Sequence, residues 1–156
     1  MREMRHADRV RSKEWALEKL AETNMVFIAM NNEVPYCIPV SHILWQGHLY
    51  FHAAAKGLKT ELLAKDPRVC ITAVSKAEPD IAGMTVQYQS VVAYGSAAIV
   101  TDVEEKIEAL RQICSKHTPG NPENEACSVR GGQRADVVVY RIPLEEISGK
   151  ERGPKS

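Results

Sequence analysis

Histidines and lysines between positions 42 and 59 are the side chains of this sequence best suited to chemistry. His42 and His52 are candidate proton donors, because the reference pKa of histidine lies near neutrality. Lys56 and Lys59 stand where a predicted strand runs into a predicted helix, in the segment Lys-Gly-x-Lys. Free backbone N–H groups and the positive end of the helix dipole favour an anion at such a place. On these residues alone, solvated lysines on a surface helix are the favoured interpretation, because one or two lysines near a helix start are weak evidence, and a phosphate site is the alternative.

Other catalytic and metal-binding patterns are missing from this sequence or are poorly spaced. His48 and His52 are four positions apart on a predicted strand, so their Cα atoms are roughly 13 Å apart. Two residues so far apart cannot easily bind one zinc ion, and no metal site is predicted. Ser41 and His42 point to opposite faces of a strand, and the chain lacks G-x-S-x-G, G-x-G-x-x-G and Walker motifs. A hydrogen bond within the fold is the alternative role for His42 and His52.

The residues suited to chemistry lie on a predicted hairpin and on the helix that follows it. Residues 36–41 are rich in β-branched and aromatic side chains. Pro39 indicates an edge strand or a bulge, since proline cannot donate a ladder hydrogen bond. Gln46-Gly47 predicts a tight turn, so the hairpin spans residues 36–52. Leucines at helical spacing predict a short helix over 58–65.

The remaining segments predict a single, mainly β domain with peripheral helices. Ser12 and Asp102 are predicted N-caps of two further helices. The other predicted elements are strands over 25–30, 68–74, 85–100 and 135–142, loops over 76–83 and 118–134, and flexible tails over 1–11 and 150–156. About six strands joined by hairpins fit a small antiparallel β-barrel, because a parallel sheet would need crossover helices between most strands.

The charge balance and the apolar pattern exclude several classes of protein. Lysine plus arginine and aspartate plus glutamate each number 20, so no overall field favours nucleic acid or an anionic membrane. No apolar run approaches the length of roughly 20 residues that a membrane span needs, and the charged N-terminus does not resemble a signal peptide. We therefore expect a cytoplasmic protein without nucleic-acid or membrane partners. Its four cysteines are expected to be free, mostly buried thiols, with a Cys114–Cys127 disulfide as the alternative.

Several short motifs follow one another along the chain in a distinctive order. They are Ile38-Pro39-Val40-Ser41-His42, Leu49-Tyr50-Phe51-His52, Lys56-Gly57 with Lys59, Asp66-Pro67-Arg68-Val69, the segment 88–97 and the segment 138–150. Each motif is loose alone, but their order and spacing over residues 11–150 resemble the FMN-binding split-barrel superfamily. That superfamily includes the pyridoxamine phosphate oxidase-like proteins, and the resemblance is nearest to its nitroimidazole-resistance (Nim-like) flavoproteins.

The resemblance implies a split β-barrel homodimer with FMN at the dimer interface, so that both chains line each site. It implies that Lys59 binds the flavin phosphate and that Lys56 assists it. It also assigns cofactor contacts to three strands: one bordering the isoalloxazine (Pro39, Val40, Ser41 and His42), one leading to the ribityl phosphate (Tyr50, Phe51, His52 and Ala53) and one reaching across the interface (Tyr88, Gln89, Ser90 and Val91).

The function that the resemblance implies is an FMN-dependent oxidoreductase, passing electrons from a reduced donor to a small acceptor such as a nitroaromatic compound. The flavin performs the electron chemistry, so no catalytic side chain is required, although His42 or His52 could supply a proton. Pyridoxamine phosphate oxidase activity itself is not expected, because the family's Arg-x-x-x-Leu-Lys strand and C-terminal arginine pair are not recognisable. One alternative is a haem-binding or haem-handling protein, with His42, His48, His52 or His117 as axial ligand. The other is a non-catalytic barrel that binds a ligand or a partner.

Overall fold

The computed structural model describes residues 5–153, which form a sheet of nine strands with four α-helices around it. The strands are β1 (Val10–Arg11), β2 (Met25–Met30), β3 (Tyr36–Ser41), β4 (Ile43–Trp45), β5 (His48–Ala54), β6 (Arg68–Asp80), β7 (Thr85–Ser96), β8 (Ala98–Ile99) and β9 (Val137–Arg152). The helices are α1 (Lys13–Glu22), α2 (Leu58–Lys65), α3 (Val103–His117) and α4 (Asn124–Gln133). The predicted mainly β fold class is confirmed.

The strands form one curled antiparallel sheet that is open along one side. Its order is β3-β2-β6-β7-β9-β5-β4, and β1 and β8 also pair with β9. Val40 of β3 and Phe51 of β5 lie in the same buried core, although their strands are near opposite ends of this order. The sheet therefore curls into a barrel. Among the described strands β3 pairs with β2 alone, so the barrel stays split between β3 and β5.

Side chains alternate between the core of the barrel and its outer face, as the two-residue period of a strand requires. On β2, Val26, Ile28 and Met30 point inward and are buried. Met25 and Phe27 of the same strand point outward and are exposed. The inward residues of the long strands complete one continuous hydrophobic core.

Two capped helices cover parts of the barrel. The Ser12 hydroxyl and the Asp102 carboxylate each accept a first-turn backbone N–H group, as predicted. Leu20 of α1 is fully buried in the main core. α3 instead covers the outer face of β5, where Leu110 packs in a second cluster with Tyr50.

Several local predictions are confirmed. The strand over 25–30 and the helix over 58–65 have the expected bounds. Pro39 lies on the edge strand β3, which is the kind of strand in which proline is tolerated. Gln46 and Gly47 form the predicted tight turn with φ angles of 49° and 77°. These features depend on residues that are close in sequence.

The predicted loop over 118–134 is wrong, because residues 124–133 form α4. This helix packs against α3, where Gly132 lies so close to Ile107 that a larger side chain would overlap it. An ion pair joins the same helices, with 2.6 Å between Arg111 Nε and Glu125 Oε2. Packing on α3 thus stabilises a segment whose glycines give it low helix propensity.

Two strands are longer than the sequence predicts. The predicted loop over 76–83 is wrong, because β6 continues to Asp80 and pairs with β7 until only residues 81–84 remain as a turn. The last strand does not end at residue 142, and β9 continues to Arg152. Pro143 permits this because it lies where β9 changes its partner from β5 to β7.

The predicted hairpin over 36–52 is also wrong. β3 pairs with β2, and the hairpin consists of β4 and β5, so the chain changes partner at His42. The prediction of flexible tails is wrong for the residues of each tail that lie next to the barrel, because Val10 of β1 pairs with Lys150 of β9. Residues 1–4 and 154–156 of those tails lie outside the described residues.

All four cysteines are free, but the prediction that most are buried is wrong. Cys37 and Cys127 are exposed, and Cys70 and Cys114 are half-buried. Cys37 and Cys70 occupy outward positions of their strands, which explains their exposure. No helix within residues 5–153 is long and apolar enough to cross a membrane.

Candidate functional site

A cleft of about 220 Å³ opens at the split of the barrel, between β3 and the beginning of α2. Tyr36 and Ile38 of β3 form one wall, and the segment from Lys56 to Thr60 forms the other. Tyr36 and Ile38 face the cleft because they share the inward parity of buried Val40. The split thus brings an apolar edge strand up to a helix N-terminus.

The chain turns into α2 at Gly57. Its φ of 129° and ψ of 167° form a backbone conformation that is essentially limited to glycine. The Thr60 hydroxyl donates to the Ala54 carbonyl oxygen at 3.0 Å and holds this turn. The N–H groups of Leu58 and Lys59 belong to the first turn of the helix and have no acceptor within it. They are therefore available to a ligand in the cleft.

Lys59 supplies a positive charge at this cleft. Its Nζ lies 5.5 Å from the centroid of the Phe51 ring, and Phe51 stacks on Tyr140 at a centroid distance of 5.1 Å. Burial lowers the pKa of Lys59 from its ordinary value. A bound phosphate would raise this pKa again, because an anion stabilises the ammonium form. The ammonium group, the free N–H groups and the helix dipole together fit a phosphate monoester.

His52 is the titratable group on β5 that lies near Lys59. Partial desolvation of its ring lowers the pKa of His52, and the positive charge of Lys59 and the interaction with His117 lower it further. The imidazole is therefore mainly neutral at pH 7. Within residues 5–153 the His52 ring makes no hydrogen bond, and the residue is exposed to solvent. A neutral and unpaired imidazole can exchange a proton with a ligand or coordinate a metal-containing group.

His42 is fully buried, and its ring does not reach the cleft. Its Nε2 donates to the Leu20 carbonyl oxygen at 2.9 Å, while Nδ1 has no partner among the described residues. Burial, followed by the positive charge of Lys116, lowers the pKa of His42 to about 4. This geometry favours a structural role for the ring, which ties the β3–β4 junction to the end of α1.

Two hydrogen bonds join the last turn of α3 to the end of α1 and to the junction between β3 and β4. Lys116 Nζ donates to the Thr23 carbonyl oxygen at 2.7 Å, and His117 Nε2 donates to the His42 carbonyl oxygen at 2.9 Å. The charge interactions of His117 also lower the pKa values of His42 and His52. Lys116 is not among the residues predicted from the sequence, and His117 was predicted only as an axial ligand. No local signal could have found either contact, because each joins residues far apart in the chain.

Tyr50 lies under α3, away from the cleft. Its hydroxyl donates to Glu105 Oε1 at 2.9 Å, and Arg141 Nη1 donates to the same oxygen at 2.9 Å. Burial, followed by the interactions with Glu105, raises the pKa of Tyr50 to about 12. The hydroxyl therefore stays protonated and links β5 to α3.

The other residues of β3 and β5 that were predicted to contact the cofactor point to opposite faces of the sheet. Inward positions hold Val40, Phe51 and Ala53, and outward positions hold Pro39 and Ser41. Phe51 contributes to the cleft through its contact with Lys59. Lys56 lies on the rim of the cleft and is exposed. This end of the barrel therefore holds Lys56, Lys59, Phe51 and His52, with His52 on the opposite face of β5 from Phe51.

The predicted contacts on β7 lie elsewhere in the same chain. β2 and β6 separate β7 from β3 in the sheet. Tyr88 and Ser90 occupy outward positions, Gln89 Nε2 donates to Glu151 at 2.7 Å, and Val91 is buried in the core. The fold does not bring these four residues to the Lys59 cleft of their own chain.

Exposed apolar side chains occupy the outer face of β2, β6 and β7. They are Met25, Phe27, Val74, Val86 and Tyr94, each between 42% and 54% exposed. The strand register places them on one side of the sheet, which we call the outer face. An apolar surface of this kind is typical of an interaction site.

Comparisons with known proteins agree with this architecture. The profile of the pyridoxamine 5'-phosphate oxidase family matches residues 12–151, whereas a search of curated protein sequences found no match. The fold is similar to that of a candidate 5-nitroimidazole antibiotic resistance protein from Bacteroides thetaiotaomicron, with a TM-score of 0.75 and 23% identity over 91% of this chain and 86% of that chain.

Two further structures have the same fold. An FAD-binding protein from Mesorhizobium loti has a TM-score of 0.69 and 22% identity over 93% of this chain and 98% of that chain. An FAD and haem binding protein from Mycobacterium smegmatis has a TM-score of 0.72 and 13% identity over 93% of this chain and 74% of that chain. These likenesses confirm the predicted split barrel. Because the family profile spans nearly all of the described residues, this chain belongs to the pyridoxamine 5'-phosphate oxidase family.

Proposed function

We propose that this chain is a cytoplasmic, homodimeric flavoprotein that binds FMN and passes electrons from a reduced donor to a small acceptor. The observation that carries the proposal is a cleft suited to phosphate at the start of α2, in a chain of this family. Two of the similar structures are named for binding FAD, which supports a flavin. The similarity to a candidate nitroimidazole-resistance protein supports a nitroaromatic acceptor.

The residues of the cleft have separate roles in this proposal. Lys59 and the first-turn N–H groups of α2 bind the phosphate, and Lys56 adds positive charge at the rim. Tyr36 and Ile38 form an apolar wall that excludes water from one side of the ligand. FMN supplies the electron-transfer chemistry when it is bound, and the protein supplies binding and orientation.

The second chain of the dimer packs on the outer face. Burial of its apolar side chains provides the driving force for association. Pro39, Ser41, Tyr88 and Ser90 occupy outward positions near this surface, so a partner chain packed on it would meet them. Val91 would contribute through its backbone, since its side chain is buried in the core.

His52 is the proton donor that fits this arrangement best. It lies near Lys59, its ring is unpaired among residues 5–153, and its pKa is lowered, so the ring gives up a proton more readily than a free imidazolium does. His42 is a poor candidate because its enclosed ring has no path to a ligand. A His52→Gln variant that binds FMN normally but reduces the acceptor more slowly would agree with this role.

An absorption spectrum tests the cofactor directly. The full chain is mixed with excess FMN, unbound flavin is removed, and the visible and near-ultraviolet bands of oxidised flavin are measured. We expect these bands to remain with the protein, to bleach when a reductant is added without oxygen, and to return when a nitroaromatic compound is added. A colourless protein after this treatment would contradict the proposal and would favour the alternative function, a non-catalytic barrel that binds a ligand or a partner.

Haem binding is a second candidate, favoured by the neutral, exposed and unpaired ring of His52. His42 and His117 fit less well, since Nε2 of each ring is engaged with a backbone carbonyl oxygen. An FAD and haem binding protein shares the fold, which adds support. Reconstitution with haem would then give a Soret band that His52→Ala abolishes and His48→Ala retains.

A further inference from the structure

The turn between β6 and β7 exposes two large apolar side chains. Ile81 is 89% exposed and Met84 is 93% exposed. The turn is ordered, since the Gly83 N–H donates to Asp80 Oδ1 at 2.9 Å and the Met84 N–H donates to the Ile81 carbonyl oxygen at 3.2 Å. We call residues 81–84 the hairpin tip. Within the described chain nothing covers these two side chains.

A cleft on the outer face offers apolar walls that match the hairpin tip. It measures about 350 Å³ and lies between the end of α1 and strands β2 and β6. Met25, Phe27 and Val74 form its apolar side, and all three are about half exposed. Its polar side consists of Glu22, Thr23, Asn24 and Ser75. We call it the outer-face cleft. An aliphatic side chain inserted there would bury apolar surface on both partners.

The hairpin tip cannot enter the outer-face cleft of its own chain. Val74 lies at the cleft and Asp80 lies next to the tip, and the extended strand between them spans roughly 20 Å. The cross-strand pair of Pro79 with Val86 continues the outer face toward the tip. Tip and cleft therefore lie at two places on one surface, which is the arrangement that a twofold, self-complementary interface requires.

We propose that the hairpin tip of each chain inserts Ile81 and Met84 into the outer-face cleft of a second copy of this chain. The twofold axis then passes near Ala77, midway between tip and cleft along β6. Each dimer contains the contact twice. The inference rests on the homodimer of the proposed function, and it adds which residues hold the two chains together.

A lipid surface fits the hairpin tip less well than a second copy does. Residues 77–87 include Glu78 and Asp80 but contain no lysine or arginine. An anionic membrane attracts basic segments and would repel these carboxylates. The matching cleft on the same sheet is a further reason to choose a second copy as the partner.

Sedimentation velocity of the full chain, over a range of concentrations, tests the contact. We expect a dimer for the wild type and a dissociation constant raised roughly 100-fold or more in the double variant Ile81→Ser, Met84→Ser, because four apolar contacts per dimer are lost. The matched control is Val34→Ser, which removes a 72% exposed side chain from the turn between β2 and β3. It should leave the dissociation constant unchanged.

A charge-pairing experiment tests whether tip and cleft meet. Met84→Glu and Val74→Lys should each weaken the dimer, since a glutamate at position 84 would face Glu22 of the cleft. The chain carrying both changes should recover at least tenfold of the loss of Met84→Glu, because each glutamate then meets a lysine of the other chain. A monomeric wild type, an unchanged Ile81→Ser, Met84→Ser dimer or an absence of recovery would each overturn the inference. So would a tip variant that loses binding to phosphatidylcholine vesicles while keeping its dimer.

Flavin binding, measured on the same samples, separates this inference from the proposed function. A wild-type dimer that depends on the hairpin tip but retains no flavin would contradict the proposed function and support the contact. A wild type that retains flavin and whose dimer is insensitive to the tip changes would support the proposed function and overturn the contact.

Discussion

Lys59→Ala removes the ammonium group of the phosphate cleft and leaves the backbone donors of α2 in place. A hydrogen bond between charged groups contributes about 1.5–3 kcal/mol. Each tenfold change in affinity corresponds to about 1.4 kcal/mol, so the FMN dissociation constant should rise roughly 10- to 150-fold. The aromatic stack of Phe51 on Tyr140 remains beneath the site, and the fold should therefore be retained.

Quenching of flavin fluorescence measures this affinity, with riboflavin as the second ligand. Riboflavin lacks the phosphate, so Lys59→Ala should change its affinity by less than about twofold, whereas FMN loses the full amount. Lys65→Ala is the matched control, because Lys65 is an exposed lysine in the last turn of the same helix. Unchanged FMN binding by Lys59→Ala, or an equal loss for both ligands, would refute the assignment of the phosphate to this cleft.

Three further predictions concern stability and can be checked by urea denaturation. Burial lowers the pKa of His42 to about 4, so on acidification the unfolded chain takes up a proton at this residue before the folded chain does. The free energy of unfolding should therefore fall by roughly 3 kcal/mol as the pH decreases from about 6.5 to about 4. His42→Gln should make the free energy of unfolding less dependent on pH over this range, and an equal dependence would contradict the burial argument. Tyr50→Phe should cost about 1 kcal/mol because Glu105 loses a donor, and no change would show that the hydrogen bond contributes nothing net. Asp102→Ala should cost about 1 kcal/mol through loss of the N-cap, whereas Thr101→Ala should be neutral.

Features set by neighbouring residues could be predicted from the sequence. The apolar run at 25–30, the N-cap at Asp102 and the turn at Gln46-Gly47 each carry a local signal, and each is present in the structure. Helix α4 could not be predicted in this way, since its stability comes from packing on α3. The length of β9 was missed for a related reason, because Pro143 ends a strand in most contexts but here marks a change of partner.

Some features of the candidate site could likewise be predicted from the sequence, and others could not. Lys59 and Gly57 could be found because a strand leading into a helix start is visible in the sequence. The apolar wall that Tyr36 provides depends on which strand lies across the split, and that pairing is not encoded locally. The hydrogen bond of His117 to the His42 carbonyl oxygen joins residues 75 positions apart, and no spacing rule anticipates it.

Strand β9 has a consequence for how the chain can fold during synthesis. It pairs with β1, β5, β7 and β8, so both halves of the barrel share this one strand. Until residues 137–152 have left the ribosome, β5 and β7 must wait with unpaired edges and an open core. Such long-range pairing slows folding and prolongs the exposure of aggregation-prone edges. Nascent chains that stop before β9 should therefore depend on chaperones more than the complete barrel does.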